Sequence, residues 1–104
     1  MKMLSRPEEL ILLSVLRLDQ VAYCVPIFEE VQRMTGMEWS LGSIYPPLYR
    51  LEERGLLSSA LGEPTAERGG KRKRFYQVTE AGREALRETR AMNASAWEGM
   101  ADVL

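Results

Sequence analysis

The sequence contains no histidine. That absence removes His-based catalytic triads, imidazole metal sites and the usual general base near neutral pH. A single cysteine, Cys24, cannot form an internal disulfide and has neither a second thiol nor an imidazole with which to hold a metal, so a reducing, cytoplasmic setting is expected. No apolar run approaches the ~20 residues a bilayer span needs; the stretch from Leu10 to Leu13 ends at Ser14. That stretch follows Pro7, Glu8 and Glu9 instead of a basic leader, so no signal peptide is expected. Neither charge sign dominates, since 14 basic against 15 acidic residues leave a net charge of -1. As an average, this charge points to no polyanionic partner.

What remains is an ordinary globular composition. With 45% hydrophobic and 28% charged residues in 104, the chain suits one hydrophobic core. The acids are spread along helical faces and nothing resembles a nucleophile beside its base, so no catalytic residue, metal site or cofactor is expected and the chain does not read as an enzyme.

Ser5 and Glu8 form a capping box with Pro7 in the first turn, which predicts a helix over about residues 6 to 18. Its apolar residues, Leu10, Ile11, Leu12, Leu13, Val15, Leu16 and Leu18, cover more than one stripe, so this helix should be central. Pro26 suits the start of a second helix in which Ile27, Val31 and Met34 recur at i, i+4 and i+7 before Gly36 ends it. Ser40 opens a third, with Ile44, Leu48 and Leu51 on its buried edge and Gly55 as its stop. Two helices joined by a tight connection are the ingredients of a helix-turn-helix. Pro46 and Pro47 should distort the first half of the third helix, with Pro46 on the exposed side.

Leu56 to Leu61 and Arg74 to Thr79 read as strands of a hairpin, separated by Gly62, Pro64, Gly69 and Gly70. Thr79 and Glu80 then cap a last helix predicted over residues 80 to 104, ~37 Å long. Along it Leu86, Thr89, Met92, Ala96, Met100 and Val103 advance in steps averaging about 3.4 residues, near the spacing of a coiled-coil seam. With Trp97 beside it, this stripe is the expected interface of a homodimer. The division is therefore a winged-helix unit over residues 1–79 and a dimerisation helix over 80–104, an α+β architecture that is mainly α.

Charge is segregated along the chain. Residues 68 to 74 hold five cations, Arg68, Lys71, Arg72, Lys73 and Arg74, with Gly69 and Gly70 and no acid. Such a run is commonly a solvated loop; at the tip of a hairpin following a helix-turn-helix it is also where a wing meets a phosphate backbone. From Ser40 to Thr79 seven basic residues face four acidic ones, so that segment carries +3 and the remainder -4. The third helix turns Gly42, Ser43, Tyr45, Pro46, Tyr49 and Arg50 away from its apolar edge. Hydroxyls are competent phosphate ligands, and Arg50 could reach a guanine edge or a phosphate. Tyr45 and Tyr49 could equally pack against the wing or second helix, and Ser40 could contact DNA or serve only as a cap.

An ordered set of residues resembles the PadR-like winged-helix transcriptional regulators: Leu10 to Leu16, Ala22-Tyr23, Gly42-Ser43-Ile44-Tyr45-Pro46, Leu48, Arg50-Leu51-Glu52, Gly55-Leu56-Leu57, Arg68 through Tyr76, and Val78-Thr79-Glu80-Ala81-Gly82. The resemblance implies a homodimeric, cytoplasmic and nucleoid-associated bacterial repressor that binds double-stranded operator DNA. Tyr45 and its neighbours would face the major groove, Arg68 to Lys73 the flanking backbone, and Phe75 and Tyr76 would anchor the returning strand. Some relatives hold a flat aromatic effector against a Trp of the last helix; here that position falls on Asn93, so an effector does not carry over and Trp97 reads as dimer core. Cys24 stands where many relatives have Gly or an acid, either as a small packed residue or as a redox sensor. A different class of function, a winged-helix module binding protein or RNA, uses the same basic hairpin.

Overall fold

The computed structural model describes residues 2–64 and 72–104. Four α-helices and one antiparallel hairpin follow in the order α1 (Arg6–Leu18), α2 (Cys24–Thr35), α3 (Tyr45–Glu53), β1 (Leu57–Pro64), β2 (Arg72–Val78) and α4 (Glu80–Trp97). Short 3-10 turns at Asp19–Val21 and Leu41–Ser43 precede α2 and α3.

The capping box at Ser5 forms as expected: the Glu8 amide donates to the Ser5 hydroxyl while the Ser5 amide donates to the Glu8 carboxylate. α1 lies at the centre and buries Ile11, Leu12 and Val15, against which Ile27 and Val31 of α2 and Ile44, Leu48 and Leu51 of α3 pack. All three residues of the α3 edge are essentially inaccessible. Gly36 ends α2 and Gly55 follows α3, with φ of 67° and 73°, the left-handed conformation that glycine adopts without a Cβ penalty. Trp39 pins the connection between α2 and α3, its amide donating to Gln32 Oε1 and its indole Nε1 to Thr35 Oγ1.

The two prolines are accommodated by restarting the helix. Ser40 caps a single 3-10 turn, and α3 begins afresh at Tyr45, so Pro46 and Pro47 fall in its first turn, where backbone N–H groups have no intrahelical partner. Pro46 is exposed and Pro47 buried.

The hairpin pairs Leu57 with Val78 through Leu61 with Arg74, and a register shift between Leu61 and Pro64 carries the ladder on to Arg72. The strands are therefore longer than the alternating pattern alone predicts, and Gly62 and Pro64 lie within β1. A Cβ at Gly62 would stand 2.5 Å from the Phe75 ring, so glycine lets that ring lie over the strand. A further rung ties the hairpin to the helical body, the Tyr76 amide donating to the Ala22 carbonyl at 2.8 Å.

α4 departs most from expectation. It ends at Trp97 after 18 residues, about 27 Å, because Glu98 is extended and Gly99 takes a φ of 76°. Met100 and Val103 thus follow the helix instead of continuing it. The helix still gives the protein an elongated outline of 55 × 28 × 21 Å. Its radius of gyration is 15.4 Å, against about 13 Å for a compact domain of this length.

Candidate nucleic-acid interface

The exposed side of the helix-turn-helix is built from α3 and the turn before it. Ser40, Gly42, Ser43, Pro46, Tyr49 and Arg50 are exposed, and Tyr45 and Tyr49, one helical turn apart, are 54% and 66% accessible. Neither tyrosine is buried by the wing or α2. The Ser40 hydroxyl accepts from the Ser43 amide and the Ser43 hydroxyl donates to the Ser40 carbonyl, so both serines are engaged in shaping the turn. Ser40 therefore acts here as a cap.

The wing presents its cations in differing states. Arg72 Nε donates to the Gly62 carbonyl at 2.7 Å. Arg74 donates to Ser59 Oγ, which donates in turn to Glu52, joining both strands to the end of α3. Lys73 is half-buried, its ammonium 4.4 Å from the centre of the Tyr23 ring and 3.3 Å from its hydroxyl. Tyr23 also meets Phe75 edge to face, with centroids 5.5 Å apart, so aromatics at the base of α2 orient the returning strand. Tyr76 packs against the core. Burial, aided by the Glu52 carboxylate, pushes its hydroxyl above the ordinary tyrosine range. Arg68, Gly69, Gly70 and Lys71 of the expected wing tip lie outside the described residues.

These two elements converge. Tyr45 at the start of α3 and Arg72, Lys73 and Arg74 of β2 line one groove of about 380 Å³, floored by Tyr23, Cys24, Val25 and Tyr76. Three cations beside aromatic and hydroxyl groups form a surface suited to phosphate. Cys24 is half-buried at the start of α2 beside this groove.

Arg50 lies on the outward side of α3, as its helical position predicts, and also faces α1. Its Nε lies 3.7 Å from Oε2 of Glu8 on α1, while Arg54 Nη1 approaches Oε1 of the same carboxylate at 3.2 Å. Glu8 is 4% accessible. Burial alone would raise its pKa, but the Ser5 hydrogen bonds and the Arg54 charge outweigh it and hold the carboxyl below its ordinary range. The sequence shows Glu8 only as half of a capping box; its pairing with residues more than forty positions away has no local signature.

On α4 the expected seam divides. Thr89 is buried within the chain's own core and donates to the Ala85 carbonyl, and Leu86 packs on the same core. Ala96 is exposed, as are Met92, Trp97, Met100 and Val103. Asn93 lies with Leu13, Leu16, Leu86 and Arg90 along a groove between α1 and α4. Among the described residues no helix is long and apolar enough to cross a membrane.

Known proteins place this fold. The solved PadR family transcriptional regulator from Eggerthella lenta is 26% identical, with a TM-score of 0.71 over 90% of this chain and 80% of that one. A PadR-like transcription factor from Bacteroides fragilis is 26% identical, with a TM-score of 0.72 over 93% of this chain and 88% of its own. A PadR-like regulator from Bacillus cereus shares the fold at 24% identity, with a TM-score of 0.67 over 92% of this chain and 84% of that one. None of the curated proteins matches the chain. The model of the transcriptional regulator PadR-like family matches residues 12–88, which run from the second half of α1 through the helix-turn-helix and the hairpin to the first half of α4. The chain belongs to the PadR-like family of transcriptional regulators.

Proposed function

We propose that this regulator works as a homodimer that occupies a roughly palindromic operator in duplex DNA and represses transcription. The convergence of Tyr45 with Arg72, Lys73 and Arg74 on one groove carries this reading. It supports an α3 that enters the major groove through Ser43, Tyr45 and Tyr49, with the wing on the neighbouring phosphates. Ser40, Gly42 and Pro46 set the backbone at the helix start, and Arg68, Gly69, Gly70 and Lys71, assigned to the phosphates from the sequence, lie outside the described residues.

Homodimerisation supplies the second reading head. The exposed Met92, Trp97, Met100 and Val103, with Ala96, form the surface we assign to the partner copy. Leu86 and Thr89 serve the protomer's own core and are not assigned to the partner. A two-fold axis places the recognition helices on major grooves one turn, ~34 Å, or a multiple of it apart.

Footprinting the purified protein on the DNA upstream of its own gene tests the proposal. Protection of two related half-sites spaced by a whole number of turns is expected. Binding to single-stranded RNA or to protein, with no preference among duplexes, contradicts it.

A further inference from the structure

Arg50 of α3 and Arg54, the residue that caps it, share a single carboxylate, and they share it unequally. Arg54 is locked: it hydrogen-bonds Glu8 Oε1 at 3.2 Å and the Lys2 carbonyl at 2.7 Å, and its side chain is 19% accessible. Arg50 sits 3.7 Å from Oε2, beyond hydrogen-bond distance, and its side chain is 47% accessible. Glu8 itself does not move freely, because it sits in the first turn of α1 and the Ser5 amide donates to it at 2.8 Å. A fixed, buried negative charge thus holds a half-exposed cation at the edge of the exposed α3 face, next to Tyr49.

We propose that Glu8 is a positioning residue that restrains Arg50, setting how strongly α3 engages DNA by competing with phosphate for the same guanidinium. This rests on the duplex-DNA reading above. In the free protein Arg50 is directed back toward α1. On duplexes of arbitrary sequence Arg50 stays with Glu8; only on the operator does the guanidinium exchange Glu8 for a phosphate, and the carboxylate then keeps Arg54 and the Ser5 amide as partners. The exchange leaves no buried charge unpaired, which makes Arg50 the releasable member of the pair. Without the competing carboxylate every duplex gains an unrestrained cation, so Glu8 suppresses binding to DNA of any sequence.

The test uses the full chain with duplexes of arbitrary sequence, measuring binding across salt concentrations for wild type, E8Q, R50Q and the double variant. Gln keeps the side-chain oxygen that accepts at the cap and removes the charge. E8Q should bind about fivefold more tightly per protomer near 0.15 M salt, with a salt slope steeper by about 0.9, one added phosphate contact. Both gains should be absent when E8Q is placed on R50Q. Thermal melting of each variant separates a fold defect from a binding change, and a steepened slope is not something lost stability produces. An unchanged slope in folded E8Q, or the same gain with and without Arg50, overturns the inference while leaving the DNA reading intact. Failure of folded wild type to bind any duplex overturns both.

Discussion

At the scale of single residues, Glu8 shows how one carboxylate serves two levels of structure. Its Oε1 accepts both from the Ser5 amide at the start of α1 and from Arg54 at the end of α3, so the cap that begins one helix also ties it to another. Because its folded pKa is depressed, the stabilisation is complete above the unfolded value, ordinarily 4.5, and is lost as pH falls through the folded pKa. Urea midpoints measured from about pH 6 to 3 should therefore fall less steeply for E8Q than for wild type below about pH 4.5; parallel profiles contradict this role. The sequence displays the capping half of the arrangement, since Ser5 and Glu8 are three positions apart. It hides the other half, because Arg54 is 46 positions away and only packing of α1 on α3 brings it in. Arg50 illustrates the same gap: its place on the outward side of α3 is legible from helical period, its pairing with α1 is not.

Elements were legible to the extent that their signals are local. The Ile44, Leu48, Leu51 edge follows from spacing and is buried as that spacing requires. Pro46 and Pro47 announce an irregularity, but whether it is a kink or a fresh start depends on the Ser40 turn, whose hydrogen bonds only the folded chain reveals. The extent of α4 misleads, because the apolar spacing continues through Met100 and Val103 while Gly99 breaks the backbone that would carry it. The start of α4 is tightly determined. Thr79 accepts from the Gly82 amide and donates to the Gly55 carbonyl, which clamps the helix onto the end of α3. A Cβ on Gly82 would lie 2.3 Å from the Leu56 carbonyl oxygen. Gly82→Ala gains ~1 kcal/mol in helix propensity, but forcing backbone apart at such a contact costs about 1–3 kcal/mol. A lower urea midpoint is expected, and an equal or higher one contradicts the close approach.

On the scale of the whole molecule, near-neutrality conceals a division of labour. The segment from Ser40 to Thr79 carries +3 and includes both the outward face of α3 and the basic strand; the remainder carries -4 and supplies the central helix and α4. Family membership accounts for the fold from the middle of α1 to the middle of α4. Beyond it, the projecting end of α4 and the turn after it hold exposed Trp97 and Met100. Trp97→Ala should weaken self-association by more than tenfold, equivalent to about 1.4 kcal/mol, in sedimentation equilibrium, with the secondary structure of the protomer retained. An unchanged association constant removes this end of α4 from the interface.

In the proposed mode of action the α3 and wing surface binds the phosphates of a duplex. Affinity for a duplex, followed as salt is raised, tests it most directly when wild type is compared with the Lys71, Arg72 and Lys73 triple alanine variant. Wild-type affinity should fall steeply, by about 0.9 in slope for each phosphate contacted. The triple variant should bind every sequence more weakly and with a shallower slope. A flat salt response in wild type, or a slope that the triple variant leaves unchanged, contradicts the claim.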